Sequence, residues 1–330
     1  MTWFKTLTGF EEGSPDQVRE NITVEGEILI SHVNGKTYAC GRLETPTLAE
    51  LRERVRSTGR GDGRLTVREV VADVQELHAD ASNAGALFQV ASQFNLLEMA
   101  SPRSTPEMGV DIYEHDHTQG PACAIAAGAG TIYRNYFAPV NGQVGQSETN
   151  QIDCLADLGS ALRNSENRLW EMRNGYALAT RSGLEEISKR LRAASEKELD
   201  ELRGLLRVGV HSDTQVTLQG STHKVSQVYC SALPVAYSRH PAELWEDFAR
   251  LVLEAAYEAT LCTGILNAQR KGNKRAFLTL LGGGAFGNET GWITDALKRA
   301  LRLYRDWEIE VAIVSYVASK EYVRQLVDQT

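Results

Sequence analysis

With 330 residues, 42% of them hydrophobic and 24% charged, the chain has the composition of a globular protein with a sizeable core, which excludes the disordered and fibrous classes. Its formal net charge of −8 opposes a phosphate backbone, so nucleic acid is not expected as a main partner, although a small phosphorylated ligand needs only local donors. Five cysteines, Cys40, Cys123, Cys154, Cys230 and Cys262, are far apart and form no CxxC pair, the pattern of reduced, buried thiols in a cytoplasmic protein. The start, "MTWFKTLTGFEEG", lacks an apolar signal-peptide core, and no run approaches the ~18 apolar residues of a membrane helix, so no membrane partner is expected.

In chain order, "ITVEGEILISHVNGKTYACGRL" alternates apolar residues around Asn34-Gly35, which predicts a hairpin with both turn residues at positive φ. "TLAELRERVRS" predicts a helix capped by Thr47, with Glu50 completing a capping box. "TVREVVADVQELHAD" has apolar residues at helical spacing, and "GALFQVASQF" follows as an apolar strand. A polar loop over 95–120 leads to a small-residue helix, "PACAIAAGAG", and an aromatic segment, "TIYRNYFAPV".

Two long helices are predicted at 154–180 and 184–206, the second with a leucine-rich stripe suited to packing on a core. The β-branched segments "RVGVHSDTQVTLQ" and "HKVSQVYCSALPVAY" follow, then a helix over 241–267 and the strand "AFLTLL". After a glycine-rich turn and its helix, the chain closes with the strand "EIEVAIVSYV" and the helix "KEYVRQLVD". Alternating strands and helices imply an α/β fold with a mostly parallel sheet covered on both faces. The division expected is an N-terminal α+β extension, 1–75, and one α/β domain, 76–330, with a helical insertion around 154–206.

Gly282-Gly283-Gly284-Ala285-Phe286-Gly287 fits G-x-G-x-x-G between a strand and a helix, as a dinucleotide fingerprint does. Only one more strand and helix follow it, however, whereas a dinucleotide fold places this turn after its first strand. The acids some way downstream, Glu308 and Glu310, begin a strand rather than end one, and no Lys-Ser/Thr makes the turn a Walker A loop. What remains is anion binding: glycines let the backbone approach a phosphate, and N–H groups at a helix start attract it. Phe286 would then lie over a sugar or base, Asn288 would serve as a cap, and Glu289 would favour the helix dipole. A turn that only allows tight strand–helix packing is the alternative.

The second unusual stretch, "QVASQFNLLEMASPRSTPEMGVDIYEHDHTQGPACAIAAGAG", runs from an apolar strand through an acidic loop to a helix of small residues, with N–H donors at Gln119 and Gly120. "VASQFN", "GPACAIAAG", "VYCSALPVAY", "FARLVLEAAYEATL", "AFLTLL" and "GGGAFGN", in that order, make the chain resemble the macrodomains, which bind and often hydrolyse ADP-ribose. The resemblance covers roughly 80–330 and implies a macrodomain-like three-layer α/β/α fold. The chain departs from common macrodomains in its insertion at 154–206 and in a first loop without the usual glycine run. It is most similar to a divergent group that includes bacterial effectors removing ADP-ribose from arginine, notably on ubiquitin, with acidic residues and no metal. No cofactor is implied.

Hydrolysis of a glycosidic ADP-ribosyl bond needs a carboxylate that activates water or stabilises an oxocarbenium-like sugar. Asp116, supported by Glu114, lies just before the small-residue helix and is the preferred acid; solvated loop charge is the alternative. His115 and His117 form an H-x-H pair, but no third metal ligand is evident. Asp213 is an acid inside a β-branched segment, either a bulge residue or a carboxylate aimed into the crevice. Gln93, Asn95 and Glu98 are candidates for ribose hydroxyls, and Gly282 to Asn288 with Thr118 to Gly120 for the diphosphate. The resemblance makes Asp80 the candidate for the adenine amine, although "HADAS" is equally a helix end, and Arg134 and Asn135 stand out as polar residues in an apolar segment. A non-catalytic ADP-ribose reader and a hydrolase of free ADP-ribose derivatives are the competing functions.

Overall fold

The computed structural model describes residues 1–59, 61–218 and 220–329. Seven strands form the central sheet: β1 (Arg42–Glu44), β2 (Thr66–Val71), β3 (Leu87–Ala91), β4 (Gly209–Gln215), β5 (Lys224–Cys230), β6 (Arg275–Leu278) and β7 (Glu310–Ser315). Their order is β1-β4-β5-β3-β6-β7-β2. The five strands from β5 to β2 run parallel, and β4 and β1 add an antiparallel edge. Buried on both faces, β3 and β6 are nearly continuous apolar runs, Phe88 stacking on Phe277 at 4.6 Å between ring centres. The result is a three-layer α/β/α arrangement with a mostly parallel sheet, as expected.

The helix Ala242–Lys271 forms the spine of one layer, packing against Leu48–Ser57, Arg181–Ala193 and Thr290–Leu303. Val74–Ala79, Gln119–Ala126 and Gly128–Tyr136 pack together in the other layer, beneath β3 and β4. The capping box at Thr47 and Glu50 is present, and all five cysteines are free and buried. No helix among the described residues is long and apolar enough to cross a membrane.

Four local expectations are corrected. The segment 22–39 folds into a three-stranded sheet, Ile22–Glu25, Ile28–Ser31 and Thr37–Ala39, and at its second turn only Gly35, not Asn34, has positive φ. Thr66–Val71 is a strand, because its β-branched residues pair in parallel with β7, and the helix starts only at Val74 behind the cap Asp73. The helix expected at 154–180 is a short helix, Ala156–Ala161, followed by a hairpin, Trp170–Arg173 and Tyr176–Ala179, turned by Asn174 and Gly175 at positive φ. The helix expected at 184–206 is two, Arg181–Ala193 and Glu196–Gly204, because Ser195 opens a new capping box with Glu198. Residues before 75 supply β1 and β2, at opposite edges of the sheet.

Candidate active site

At the carboxyl ends of the parallel strands two adjoining compartments form one crevice, the usual ligand position in such a sheet. One, about 180 Å3, is lined by the end of β3, Glu98, Asp116, Thr118 to Pro121, Tyr176, Tyr237, Gly282 and Gly284 to Phe286. The other, about 370 Å3, lies between Ala72 to Val74, Ile293 and Val314 to Tyr316. Thr118, Gln119, Thr279, Leu280 and Gly284 line both, so the first loop and the glycine loop meet along the middle of the crevice.

The glycine loop follows β6 and precedes the helix Thr290–Leu303. Its backbone closes on itself through Gly283 N–H to Leu280 O, Gly287 N–H to Gly284 O and Asn288 N–H to Gly282 O. Among the described residues the N–H groups of Gly284, Ala285 and Phe286 have no acceptor, leaving a concave set of donors suited to an anion. A Cβ at Gly284 would meet open space, whereas one at Gly282, φ +75°, would lie 2.5 Å from the Cβ of Ala232. Gly284 therefore faces the crevice and Gly282 is needed for the turn itself. Asn288 is no cap: it is buried and its Nδ2 donates to Leu233 O, tying the loop to the end of β5. Glu289 occupies the N-cap position without a side-chain capping bond.

The opposite wall begins where β3 ends. Gln119 reaches back along it, accepting from Ala91 N–H and donating to Gln89 O, so its side chain holds the helix Gln119–Ala126 to the strand. The backbone N–H groups of Gln119 and Gly120 have no acceptor among the described residues, a second donor set across from the glycine loop. A Cβ at Gly120 would lie 2.0 Å from Ala91 O and 3.1 Å from Cγ of Glu98, so only glycine lets this helix start against the strand and that carboxylate. Asp116 lines the crevice with one oxygen accepting from Thr118 N–H at 2.9 Å.

Glu98 is the outstanding group of the site. Its side chain is 1% exposed, lines the smaller compartment, and neither carboxylate oxygen has a hydrogen-bond partner. Arg134 is the nearest cation, its Nη2 3.7 Å from Oε2, too far for a good hydrogen bond. Burial raises the Glu98 carboxyl to about 8 in spite of Arg134, so it is mostly protonated near neutral pH. Arg134 is itself buried, donating to Leu96 O and Thr131 Oγ1, with its guanidinium 3.8 Å from the Tyr229 ring centre. His211 lies 3.3 Å from Arg134 and is pushed down to about 3 by burial and by that charge, so it stays neutral.

The remaining candidates divide. Gln93 lines the crevice, but its Oε1 is committed to Met99 N–H; Asn95 is fully buried, bonded to Gln151 and Leu97 N–H, and does not reach it. Glu114 is half-buried and outside the lining. Asp213 is not in the crevice: it sits at φ +61° in a bulge of β4, ion-paired with Arg270 and with Lys271 at 2.7 Å. The adenine candidate Asp80 is exposed and binds Ser82, past the end of its helix. It is Asp73, the N-cap at the other end of that helix, that lines the larger compartment beside Tyr316 and Lys320. Asn135 is buried, holding Pro106 O. No group of three or more His, Cys, Asp or Glu among the described residues is placed to hold a metal; His117 borders the larger compartment.

The sequence had not marked Asp73, Tyr176, Tyr237 or Tyr316. Tyr176 comes from the hairpin of the insertion and contacts Phe286 and Tyr237, at 5.3 and 5.0 Å between ring centres, closing the far end of the smaller compartment with three aromatic rings. Val317, next to the exposed Tyr316, has φ +67°, a strained value for a β-branched residue at the crevice mouth.

No family model and no curated sequence matches this chain. Among solved structures it is similar to a poly(ADP-ribose) glycohydrolase from Deinococcus radiodurans in complex with ADP-ribose, at 12% identity and a TM-score of 0.44, covering 97% of this chain and 99% of that one. It is also similar to a poly(ADP-ribose) glycohydrolase from Thermomonospora curvata, at 11% identity and a TM-score of 0.46, covering 94% of each chain.

Proposed function

We propose that this protein binds ADP-ribose along the crevice and hydrolyses the glycosidic bond that joins it to an acceptor. The observation that carries the reading is Glu98, a buried carboxyl without hydrogen-bond partners, held protonated at one end of a crevice whose middle carries two facing sets of backbone donors. The donors suit a diphosphate, and the larger compartment suits adenosine, with Asp73 to accept from an exocyclic amine and apolar walls from Ala72, Val74, Ile293 and Val314.

The distal ribose then lies beside Glu98 and Asp116. Protonated Glu98 donates its proton to the departing acceptor atom as the C1–acceptor bond breaks and its electron pair leaves with the acceptor. The Asp116 carboxylate stabilises the positive charge developing on the sugar and takes a proton from the attacking water. Asp116 thus keeps the role expected from the sequence, and Glu98 moves from ribose binding to general acid.

The acceptor is the finer question. The smaller compartment is lined by two acids and three aromatic rings and by no Lys or Arg, which favours a cationic acceptor such as the guanidinium of arginine. A protonated acid favours an oxygen-linked acceptor, because an alkoxide needs a proton to leave whereas a guanidinium-linked sugar releases neutral guanidine without one. We assign oxygen linkage on the protonated acid, and keep arginine linkage as the alternative that the lining of the compartment favours. Turnover of arginine-, serine- and glutamate-linked ADP-ribosyl peptides and of ADP-ribose oligomers tests this, with modified ubiquitin included as one substrate. Preferential release from an oxygen linkage is expected; preference for arginine overturns the assignment and the proton-donor role of Glu98 but keeps the hydrolase. ADP-ribose binding without any turnover makes the protein a reader, and turnover confined to free ADP-ribose derivatives makes protein substrates irrelevant.

A further inference from the structure

The N-terminal segment does more than supply two edge strands. Phe4, Leu7, Val18, Ile22 and Leu29 share a separate hydrophobic cluster with Leu97, Met99, Val110, Tyr113 and Tyr136, so its core packs on the first loop and its supports. Between its two helices, Trp3–Thr8 and Pro15–Asn21, Glu12 projects into that loop. Its carboxylate accepts from Val110 N–H at 3.0 Å, Asp111 N–H at 2.6 Å and Tyr136 Oη at 2.7 Å. The fit is close, for a Cβ on Gly109 would overlap Glu12 Oε2.

These contacts lead to Glu98 by two routes. Val110 and Asp111 start the 3-10 turn Asp111–His115, whose Tyr113 is 1% exposed and accepts through Oη from the Glu98 N–H at 3.1 Å. Tyr136 lies on the helix Gly128–Tyr136, which also carries Arg134, the cation nearest the Glu98 carboxyl. We propose that Glu12 is a positioning residue of the active site, fixing Glu98 through Tyr113 and through the helix that carries Arg134. The N-terminal segment is thereby an internal brace of the catalytic wall. This rests on the reading of Glu98 as the acid.

Glu12→Gln keeps size and shape but turns one acceptor oxygen into a donor facing an N–H or O–H donor. Tyr113→Phe removes only the acceptor for Glu98 N–H, and Lys5→Ala, at a solvent-facing ion pair of the same segment, is the control. Hydrogen exchange is measured over 93–118, with kcat and KM on the preferred substrate and ADP-ribose affinity by calorimetry. Glu12→Gln and Tyr113→Phe should each speed exchange of the Glu98 amide by about tenfold or more. Each should lower kcat by about 10- to 100-fold, with ADP-ribose affinity within about threefold of wild type. The double variant should be no worse than Glu12→Gln alone, because Tyr113 lies downstream of Glu12 on one of its two routes to Glu98. Additive losses, or unchanged exchange at Glu98, overturn the inference. If Glu12→Gln does not fold, Glu12→Asp, which keeps the charge but shortens its reach to Val110, Asp111 and Tyr136, decides through the same exchange and kcat readouts. A wild-type protein that binds ADP-ribose but turns nothing over defeats the hydrolase reading, while exchange at Glu98 still decides whether Glu12 braces it.

Discussion

The two walls of the crevice are built by opposite means. The glycine loop is closed by its own backbone, is anchored at its ends by Gln89, Tyr257 and Asn288, and leaves three N–H groups without acceptors among the described residues. The first loop is pinned by side chains from Glu12, Gln93, Asn95, Tyr113, Gln119 and Arg134, which leave one carboxyl without partners. Backbone donors suit a ligand whose charge does not change during reaction. An acid must be held where its proton is needed, and a buried network of side chains supplies that rigidity.

The largest effect that separates the walls is expected at Glu98. Glu98→Gln should reduce kcat by about 1,000-fold or more while ADP-ribose affinity changes little, as measured by turnover and calorimetry. The same variant should be more stable than wild type at pH 7. A carboxyl raised to about 8 binds a proton in the folded state that the unfolded chain, near 4.5, has lost, so its contribution falls as pH rises from about 4.5 towards 8. The difference at pH 7 is on the order of 3 kcal/mol and should vanish near pH 4 in thermal melts.

Gly284→Glu tests the other wall. A side chain there enters open space in the crevice beside the anion donors, so ADP-ribose affinity should fall by about 100-fold or more with circular dichroism unchanged. Affinity equal to wild type would remove the diphosphate from this loop. A smaller effect is expected from Asp73→Asn, which keeps the helix cap but loses the carboxylate: KM should rise about tenfold with kcat nearly unchanged.

The smallest effect is expected where a sequence candidate lies outside both walls. Asp213→Asn should leave kcat and KM unchanged and cost about 1 kcal/mol or less, because its partners Arg270 and Lys271 are about one-third exposed. The Asp213 carboxyl is held below its usual value by Lys271 and Arg270 against the opposing effect of burial. Its stabilising contribution is therefore present above the ordinary carboxylate value and is lost as pH falls through the depressed one. Denaturant melts of the variant and wild type should converge at low pH.

Much of the fold was readable because local chemistry and tertiary context agree. The apolar runs of β3 and β6, the capping box at Thr47 and the small-residue helix at Gln119 need no distant partner to be recognised. Thr66–Val71 was misread because an edge strand buried mainly on one side, followed at once by a helix, blurs into helical spacing. Asp73 was missed for the same reason, the cap being hidden inside a predicted helix. The hairpin Trp170–Ala179 was taken for helix because its turn, Asn174-Gly175, is short and the surrounding residues are apolar at mixed spacing.

The sequence by itself determined where donors can stand. Gly282 and Gly287 hold positive φ, which the turn requires, and a Cβ on Gly120 would collide with Ala91 O. It could not decide which carboxylate is buried without partners. Asp116 and Glu98 both follow β3 in one polar loop, and nothing local distinguishes them. Tertiary packing of Tyr113, Gly120 and Arg134 around Glu98 removes water from one of the two, and desolvation raises the carboxyl of an otherwise ordinary glutamate to about 8.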